Sequence, residues 1–154
     1  MRFFKTLLIL VLLFVAGSAS ASDVGLVPQP IPLDEVLPIE GQSCGCIVFP
    51  QNNILSANNI IMSSGSYDGP HLLRLNGKTV TFTRQGRPSG NPTYINRYSA
   101  GQVQLVTSTR QVKYQKACVS YPDPPSEGAC WVGTLKLRSN GASSVTKIVE
   151  ICGC

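Results

Sequence analysis

Two identical Cys-Gly-Cys triplets lie at opposite ends of the part of the chain that is expected to fold. They are Cys44-Gly45-Cys46 and Cys152-Gly153-Cys154. Residues two apart on a β-strand point to the same face, so each triplet would present both of its sulfurs on one side. Antiparallel pairing of two such strands would join Cys44 to Cys154 and Cys46 to Cys152. Parallel pairing would join Cys44 to Cys152 and Cys46 to Cys154, and the sequence leaves this choice open.

The remaining two cysteines, Cys118 and Cys130, flank a proline-rich stretch. Pro122, Pro124 and Pro125 lie between them. Proline fixes its own φ angle and is common in turns. A disulfide between Cys118 and Cys130, across the base of a protruding hairpin, is therefore predicted.

The first 21 residues have the three parts of an export signal. Arg2 and Lys5 supply positive charge, an apolar run extends from Leu7 to Ala16, and Ala19-Ser20-Ala21 is a small-residue cleavage pattern. The apolar run is shorter than the roughly 20 residues that span a membrane. No transmembrane span is therefore expected after cleavage. A periplasmic or secreted location is predicted, in an oxidising compartment where disulfides persist.

In such a compartment all six cysteines are expected to form structural disulfides. A tetrathiolate metal site is the less favoured alternative, because exported thiolates are usually oxidised and zinc ligands normally have wider spacing. A catalytic redox pair would need a helix start that lowers a thiol pKa, and no such helix is indicated. We predict no metal and no other cofactor.

Composition divides the mature chain near Gly41. Residues 22–43 contain four prolines and four acidic residues but no basic residue, which is typical of an extended linker. Residues 44–154 are predicted to form one β domain. Charged residues make up only 14% of the chain, and no long stretch outside the signal has helical periodicity.

Two Asn-Gly dipeptides predict β-hairpins within this domain, because Asn-Gly accepts the positive φ angles of a tight type I′ turn. Asn76-Gly77 joins Leu72–Leu75 to Lys78–Thr83, in a register that places Leu73 opposite Val80. Asn140-Gly141 joins residues 130–138 to 143–152. The predicted fold class is all-β, a small disulfide-stapled antiparallel barrel or sandwich.

The charge distribution is uneven along the chain. Eight basic residues and no acidic one lie between Arg74 and Lys116, and tyrosines are interleaved with them. Arginine can hold carboxylates or phosphates with two parallel hydrogen bonds, and tyrosine offers a stacking surface. We therefore predict a basic surface that binds an anionic or protein partner of the cell envelope. The residues predicted to form it are Arg84, Arg87, Ser89, Gly90, Tyr94, Arg97 and Tyr98.

Residues 73–105 resemble part of the bacterial c-type lysozyme inhibitors, both periplasmic and membrane-bound. The resemblance rests on three stretches: Leu73-Arg74-Leu75-Asn76-Gly77-Lys78, Ser89-Gly90 with Tyr94, and Tyr98-Ser99-Ala100-Gly101 leading into Val103 and Leu105. It implies a small exported β-barrel whose Ser-Gly loop enters the lysozyme cleft. By this resemblance Ser89, Gly90 and Tyr94 would make the contact, with Arg87 and Arg97 beside them.

Catalysis finds little support in the sequence. His71 is the only histidine and precedes an apolar strand, where a partly buried structural histidine is expected. The acidic residues beyond residue 43 are too few and scattered to indicate a paired-carboxylate hydrolase. We expect a binding protein. An inhibitor or an immunity protein would be a more specific version of this function. The alternatives are a structural envelope component, or a polyanion binder on an oligonucleotide-binding barrel, with nucleic acid less favoured; the oligomeric state stays open.

Overall fold

The computed structural model describes residues 26–36, 45–51, 55–66, 68–113, 118 and 128–153. Within these residues there are nine β-strands: β1 Pro28–Gln29, β2 Gly45–Pro50, β3 Met62–Ser64, β4 His71–Leu75, β5 Lys78–Arg84, β6 Thr93–Ala100, β7 Val103–Val112, β8 Ala129–Ser139 and β9 Ala142–Gly153. Two short 3-10 helices, Leu33–Glu35 and Ala57–Asn59, are the only helices in these ranges. None of the described helices is long and apolar enough to cross a membrane. The predicted signal peptide lies outside the described residues.

Eight of the strands form a closed antiparallel barrel. Around the barrel the order is β4-β3-β2-β9-β8-β7-β6-β5, and pairing of β5 with β4 closes the circle. The short strand β1 pairs with the end of β4, through Pro28 opposite Leu75. The all-β prediction is confirmed, and the architecture is the barrel rather than the sandwich.

Both predicted Asn-Gly hairpins are present. Asn76 and Gly77 have φ angles of 51° and 76°, and Asn140 and Gly141 have φ angles of 45° and 85°. Two successive positive φ angles define the type I′ turn. Leu73 lies opposite Val80, in the predicted register.

Apolar side chains fill the barrel interior. Phe82, Leu105 and Leu135 are fully buried in a cluster that extends to Leu137 and Ile148. These inward residues alternate with outward ones along each strand, as the pleat requires.

A second apolar cluster lies on the outside of β2, β8 and β9. Its members are Ile31, Phe49, Leu55, Ile60, Cys118, Cys130, Val149 and Ile151. Neighbouring residues on β9 therefore pack in different clusters, because Ile148 belongs to the interior cluster and Val149 to the outer one. This part of the wall is buried on both faces.

Residues 26–36, which composition assigned to the linker, pack against the barrel. Leu26 is buried in the interior cluster, and the Ser144 hydroxyl donates a hydrogen bond to its carbonyl. Ile31 is buried in the outer cluster, and its N–H donates to the Ile60 carbonyl at 2.7 Å. Leu26 and Ile31 thus anchor this stretch to the barrel. The rest of the predicted linker lies outside the described residues.

The described residues contain two disulfides. Cys46 and Cys152 lie opposite each other on antiparallel β2 and β9 and form one disulfide. Cys118 and Cys130 form the other, as predicted. The Cys46–Cys152 bridge selects the antiparallel alternative, and Cys44 and Cys154 lie outside the described residues. The Cys46–Cys152 bridge joins residues 106 positions apart. Loop-entropy arguments assign a stabilisation of about 4 to 5 kcal/mol to closing a loop of that length.

Candidate functional site

The two ends of the barrel interior differ in polarity. At the end that carries the Asn-Gly turns, the inward residues are apolar and include Leu75, Val80 and Leu137. At the opposite end, called here the polar end, several inward positions of the strands carry polar residues. These residues are Ser64, His71, Arg84, Asn96, Thr109 and Glu150. The β5–β6 loop, residues 85–92, lies at this end because β5 runs from the apolar end to the polar end.

A cavity of about 250 Å³ opens at the polar end and is called here the barrel-mouth pocket. Its polar walls are formed by His71, Arg84, Asn96, Thr109 and Glu150. Its other walls are formed by Tyr94, Tyr98, Ala129, Trp131 and the Cys46–Cys152 disulfide. Seven of the eight barrel strands contribute residues to its lining. Because these strands are far apart in sequence, closure of the barrel creates this pocket.

Arg84 provides the positive charge of the pocket. Its Nη1 donates to Asp68 Oδ1 at 2.9 Å, and its Nη2 donates to Asn96 Oδ1 at 3.2 Å. The guanidinium carbon lies 5.8 Å from the centre of the Tyr98 ring. The Arg84 side chain is 10% exposed, whereas that of Asp68 is 88% exposed. Asp68 therefore reaches the guanidinium from the solvent side.

Glu150 is a buried carboxyl group in the pocket wall. Burial raises its pKa to about 7, while a hydrogen bond from Thr109 and the charge of Arg84 act in the opposite direction. Desolvation dominates because a carboxylate loses more hydration than these two neighbours replace. Near neutral pH the carboxyl group therefore exists in both protonation states.

His71 is held as a neutral imidazole. Its Nδ1 donates to the Gly69 carbonyl at 2.9 Å, since a carbonyl oxygen can only accept. Burial lowers the pKa of His71 to about 4, although the Gly69 hydrogen bond opposes this shift. Its ring lies 4.5 Å from that of Tyr98, whose own pKa burial raises to about 12. Both rings are therefore uncharged at physiological pH.

Tyr94 and Trp131 form an aromatic edge at the pocket. Their ring centres are 5.2 Å apart and their planes meet at 88°, an edge-to-face arrangement that aromatic pairs favour. Tyr94 is 37% exposed, so it belongs both to the pocket wall and to the outer surface near the β5–β6 loop.

The β5–β6 loop is folded back on the start of β6. Ser89 and Ile95 exchange two backbone hydrogen bonds, of 3.1 and 2.7 Å, and Arg97 Nη1 lies 3.5 Å from Ser89 Oγ. Gly90 has a φ angle of +99°, and a Cβ atom there would lie 2.0 Å from the Thr93 carbonyl oxygen. Only glycine fits at this position.

The structure separates the seven predicted contact residues into two groups. Arg87, Ser89, Gly90, Tyr94 and Arg97 are exposed on the loop and the adjacent strand. Arg84 and Tyr98 differ from the prediction, because both point into the barrel and Tyr98 is only 2% exposed. The period of two on a strand places residues 94, 96 and 98 inward and residue 97 outward.

Basic residues gather on the outside of β6, β7, β8 and β9, a surface called here the basic face. They are Arg97, Arg110, Lys136, Arg138 and Lys147. The strand register aligns them, since Arg97 and Lys136 both pair with Val106 and Arg138 pairs with Gln104. Among the described residues, the acids are Asp34, Glu35, Asp68 and Glu150, and none lies on this face. Within the same ranges, none of the five cations forms an ion pair.

Sequence reasoning missed part of both surfaces. The basic surface was predicted from the acid-free stretch between Arg74 and Lys116, and Lys136, Arg138 and Lys147 lie outside it. Glu150 is one of the few scattered acids beyond residue 43, and alternation puts it on the same face as Ile148 and Cys152. That spacing is the signal that could have placed it inside the barrel.

The sulfurs of Cys46 and Cys152 and the Glu150 carboxylate lie within 4.8 Å of one another. Three such groups resemble a metal-ligand set by type. However, the two sulfurs are bonded to each other, and a disulfide does not supply the thiolates that bind zinc or copper(I). This cluster is therefore a disulfide beside a carboxyl group.

No protein-family model, no curated protein and no solved structure matches this chain. The resemblance of residues 73–105 to the c-type lysozyme inhibitors therefore stays a prediction.

Proposed function

We propose that this protein is an exported binding protein whose basic face and β5–β6 loop hold an anionic or protein partner of the cell envelope. The observation that carries the proposal is the basic face, where five cations from four strands meet no described acid. Arginine guanidiniums on such a surface suit carboxylates and phosphates. The Cys46–Cys152 and Cys118–Cys130 disulfides indicate an oxidising compartment, which supports export.

The scaffold beneath the basic face favours binding. A closed barrel leaves no free edge strand, and the β6–β9 wall contains long, fully paired strands. Side chains carried by such strands are positioned before the partner arrives, so less conformational entropy is lost on association. The barrel has eight strands rather than the five of an oligonucleotide-binding fold, so the proposal does not draw on that fold.

Reversing one charge on the basic face should weaken partner capture. Arg138→Glu replaces an exposed cation of the face, whereas Lys78→Glu changes the net charge equally at an exposed site on β5. We expect immobilised Arg138→Glu to bind its envelope partner roughly five- to tenfold more weakly at low salt, since an attraction becomes a repulsion. Capture from native envelope extract, quantified by mass spectrometry, measures the difference.

The salt dependence of the same capture supplies the control. At about 1 M salt the Debye length is only about 3 Å, so the wild type and both variants should capture similar amounts of the partner. If capture by the wild type falls steeply as salt rises, the partner is a polyanion. If capture falls only slightly, the partner is a shape-matched protein. Equal capture by Arg138→Glu and Lys78→Glu at low salt would refute a specific role for the basic face.

The β5–β6 loop favours a second candidate, inhibition of a c-type lysozyme. Ser89 and Gly90 are exposed at the tip of a hydrogen-bonded loop, with Tyr94 and Arg97 beside them. We expect lysozyme turnover to fall when the purified protein is in excess, and Gly90→Ala to weaken this inhibition at least about tenfold because the added carbon meets the Thr93 carbonyl. Gly86→Ala, in the same loop but with open space around it, is the matched control. Full lysozyme activity in excess wild-type protein would exclude this candidate.

A further inference from the structure

We propose that the barrel-mouth pocket is a binding site for a small aromatic monocarboxylate, with the carboxylate at Arg84 and the ring against Trp131. This site lies inside the barrel, and the cations of the basic face point away from it. The inference is therefore independent of the function proposed for the outer surface.

The polar end of the interior carries groups that a purely structural core would not need. Asn96 and Glu150 are 8% and 7% exposed, and the Arg84 side chain is 10% exposed. Burying polar and charged groups opposes folding unless they are paired. The apolar end shows that this chain can fill the same barrel with leucine and valine. Buried polar groups that converge on an open cavity are typical of a ligand site.

The size and apolar walls of the pocket suit one aromatic ring. Its volume is about 250 Å³, and a cavity of about 150 Å³ already holds benzene. The remaining space accommodates one small polar substituent. Trp131 and Tyr98 offer ring surfaces, and the Cys46–Cys152 disulfide adds an apolar wall.

The polar groups select the substituent. The Arg84 guanidinium is planar and can hold a carboxylate through two hydrogen bonds. Asp68 already places a carboxylate oxygen 2.9 Å from Arg84 Nη1, and its side chain is 88% exposed. A soluble carboxylate can therefore approach along the same direction and replace it. An amine would instead meet a like charge at Arg84, so a cationic ligand is disfavoured.

Glu150 makes this binding depend on pH. Its pKa is about 7, so below neutrality it is an uncharged donor and above neutrality an anion that repels the ligand. The groups that face it are Arg84 on β5, His71 on β4, Tyr98 on β6 and Thr109 on β7, with Asp68 beyond Arg84. His71 and Tyr98 stay neutral between about pH 6 and 8, so Glu150 is the group in the pocket whose charge changes in that range.

Three probes with one ring and different head groups test the proposal. Benzoate, benzyl alcohol and benzylamine are titrated into the full protein at about pH 6 and pH 8. Trp131 is the only tryptophan in the chain, so its fluorescence reports directly on the pocket. At pH 6 we expect benzoate to bind at least about tenfold more tightly than benzyl alcohol, with benzylamine weakest. At pH 8 benzoate should bind up to about tenfold more weakly than at pH 6, and benzyl alcohol should not change.

Three variants assign the effects to residues, with the thermal transition as the check on folding. Glu150→Gln should keep benzoate binding and remove its dependence on pH. Asp68→Asn, at an exposed side chain, should tighten benzoate binding about two- to fivefold because the competing carboxylate is gone. Arg84→Met should weaken benzoate binding at least about tenfold and leave benzyl alcohol little changed; if it fails to fold, Asp68→Asn still tests the carboxylate position.

The proposal fails on any of three outcomes. The first is a wild type that binds benzoate no more tightly than benzyl alcohol at pH 6. The second is a benzoate affinity that is equal at pH 6 and pH 8. The third is an Asp68→Asn variant, folded by its thermal transition, whose affinity for benzoate is unchanged or weaker.

Discussion

Replacing Glu150 by glutamine should remove a loss of stability that the wild type suffers as the pH rises. Between about pH 4.5 and 7, the free energy of unfolding of Glu150→Gln should increase by about 3 kcal/mol relative to that of the wild type. The pKa of Glu150 rises from 4.5 to about 7 on burial, and one pKa unit corresponds to about 1.4 kcal/mol. The folded state therefore binds a proton that the unfolded state releases. The stability contributed by this proton is complete below about pH 4.5 and is lost as the pH rises to about 7. Glutamine cannot lose a proton, so the variant avoids that loss.

The shifted pKa of His71 changes the stability with pH in the opposite direction, over nearly the same pH range. Burial lowers its pKa from 6.5 to about 4, so its contribution is complete above about pH 6.5 and is lost as the pH falls to about 4. In the wild type the two slopes should nearly cancel between about pH 4.5 and 6.5. Arg84, Asp68 and Tyr98 also face this pair. Arg84 stays charged and Tyr98 stays neutral throughout that interval.

Urea unfolding of wild type, Glu150→Gln and His71→Gln across about pH 4 to 8 measures both effects. The free energy of unfolding should rise with pH for Glu150→Gln and fall with pH for His71→Gln, each by about 3 kcal/mol in total. Comparing slopes within each variant removes any constant loss from altered packing. Three parallel curves would show that neither group is buried with the shifted pKa described.

Adding one methyl group at Gly133 should strongly destabilise the barrel. A Cβ atom on Gly133 would lie 1.9 Å from the Ser108 carbonyl oxygen and 2.8 Å from Thr109 Cα. Both obstructing atoms belong to the backbone of β7, which pairs with β8 here, so no side-chain rotation can relieve the contact. We expect Gly133→Ala to lower the free energy of unfolding by about 3 kcal/mol or more, the upper end of overpacking effects.

Gly101→Ala is the matched comparison for this prediction. Nothing lies within 4 Å of a Cβ atom there, but its φ angle is +56°, so the substitution should cost only about 1 kcal/mol. Denaturant unfolding with the disulfides intact measures both variants. If Gly133→Ala were as stable as Gly101→Ala, β7 and β8 would have to lie farther apart at this point than the structure places them.

Local signals predicted much of the backbone correctly. Asn76-Gly77 and Asn140-Gly141 specify their own turns, because the left-handed conformation is set by those residues and not by distant contacts. The Cys118–Cys130 disulfide was predicted from the prolines that lie between the two cysteines, and it is present. The antiparallel Cys46–Cys152 bridge was one of two alternatives, and only the pairing of β2 with β9 chose between them.

The candidate sites were harder to predict because they depend on which face of a strand turns inward. Arg84 and Tyr98 were assigned to an outer surface from their charge and ring, yet their register places them beside Asn96 and Glu150 inside the barrel. The lining of the barrel-mouth pocket comes from strands that are far apart in sequence. No local pattern brings Trp131 near Tyr94.

The sequence by itself determined the strand content, the tight turns and the disulfide chemistry, because these depend on φ preferences, alternation and thiol spacing within a few residues. Tertiary structure decided the closure into a barrel, the burial of the second half of β9 on both faces, and the anchoring of residues 26–36. It also decided the division of charge, with Arg84 and Glu150 turned inward and five cations turned outward. Each of these depends on long-range strand pairing, which aligns residues that the chain keeps far apart.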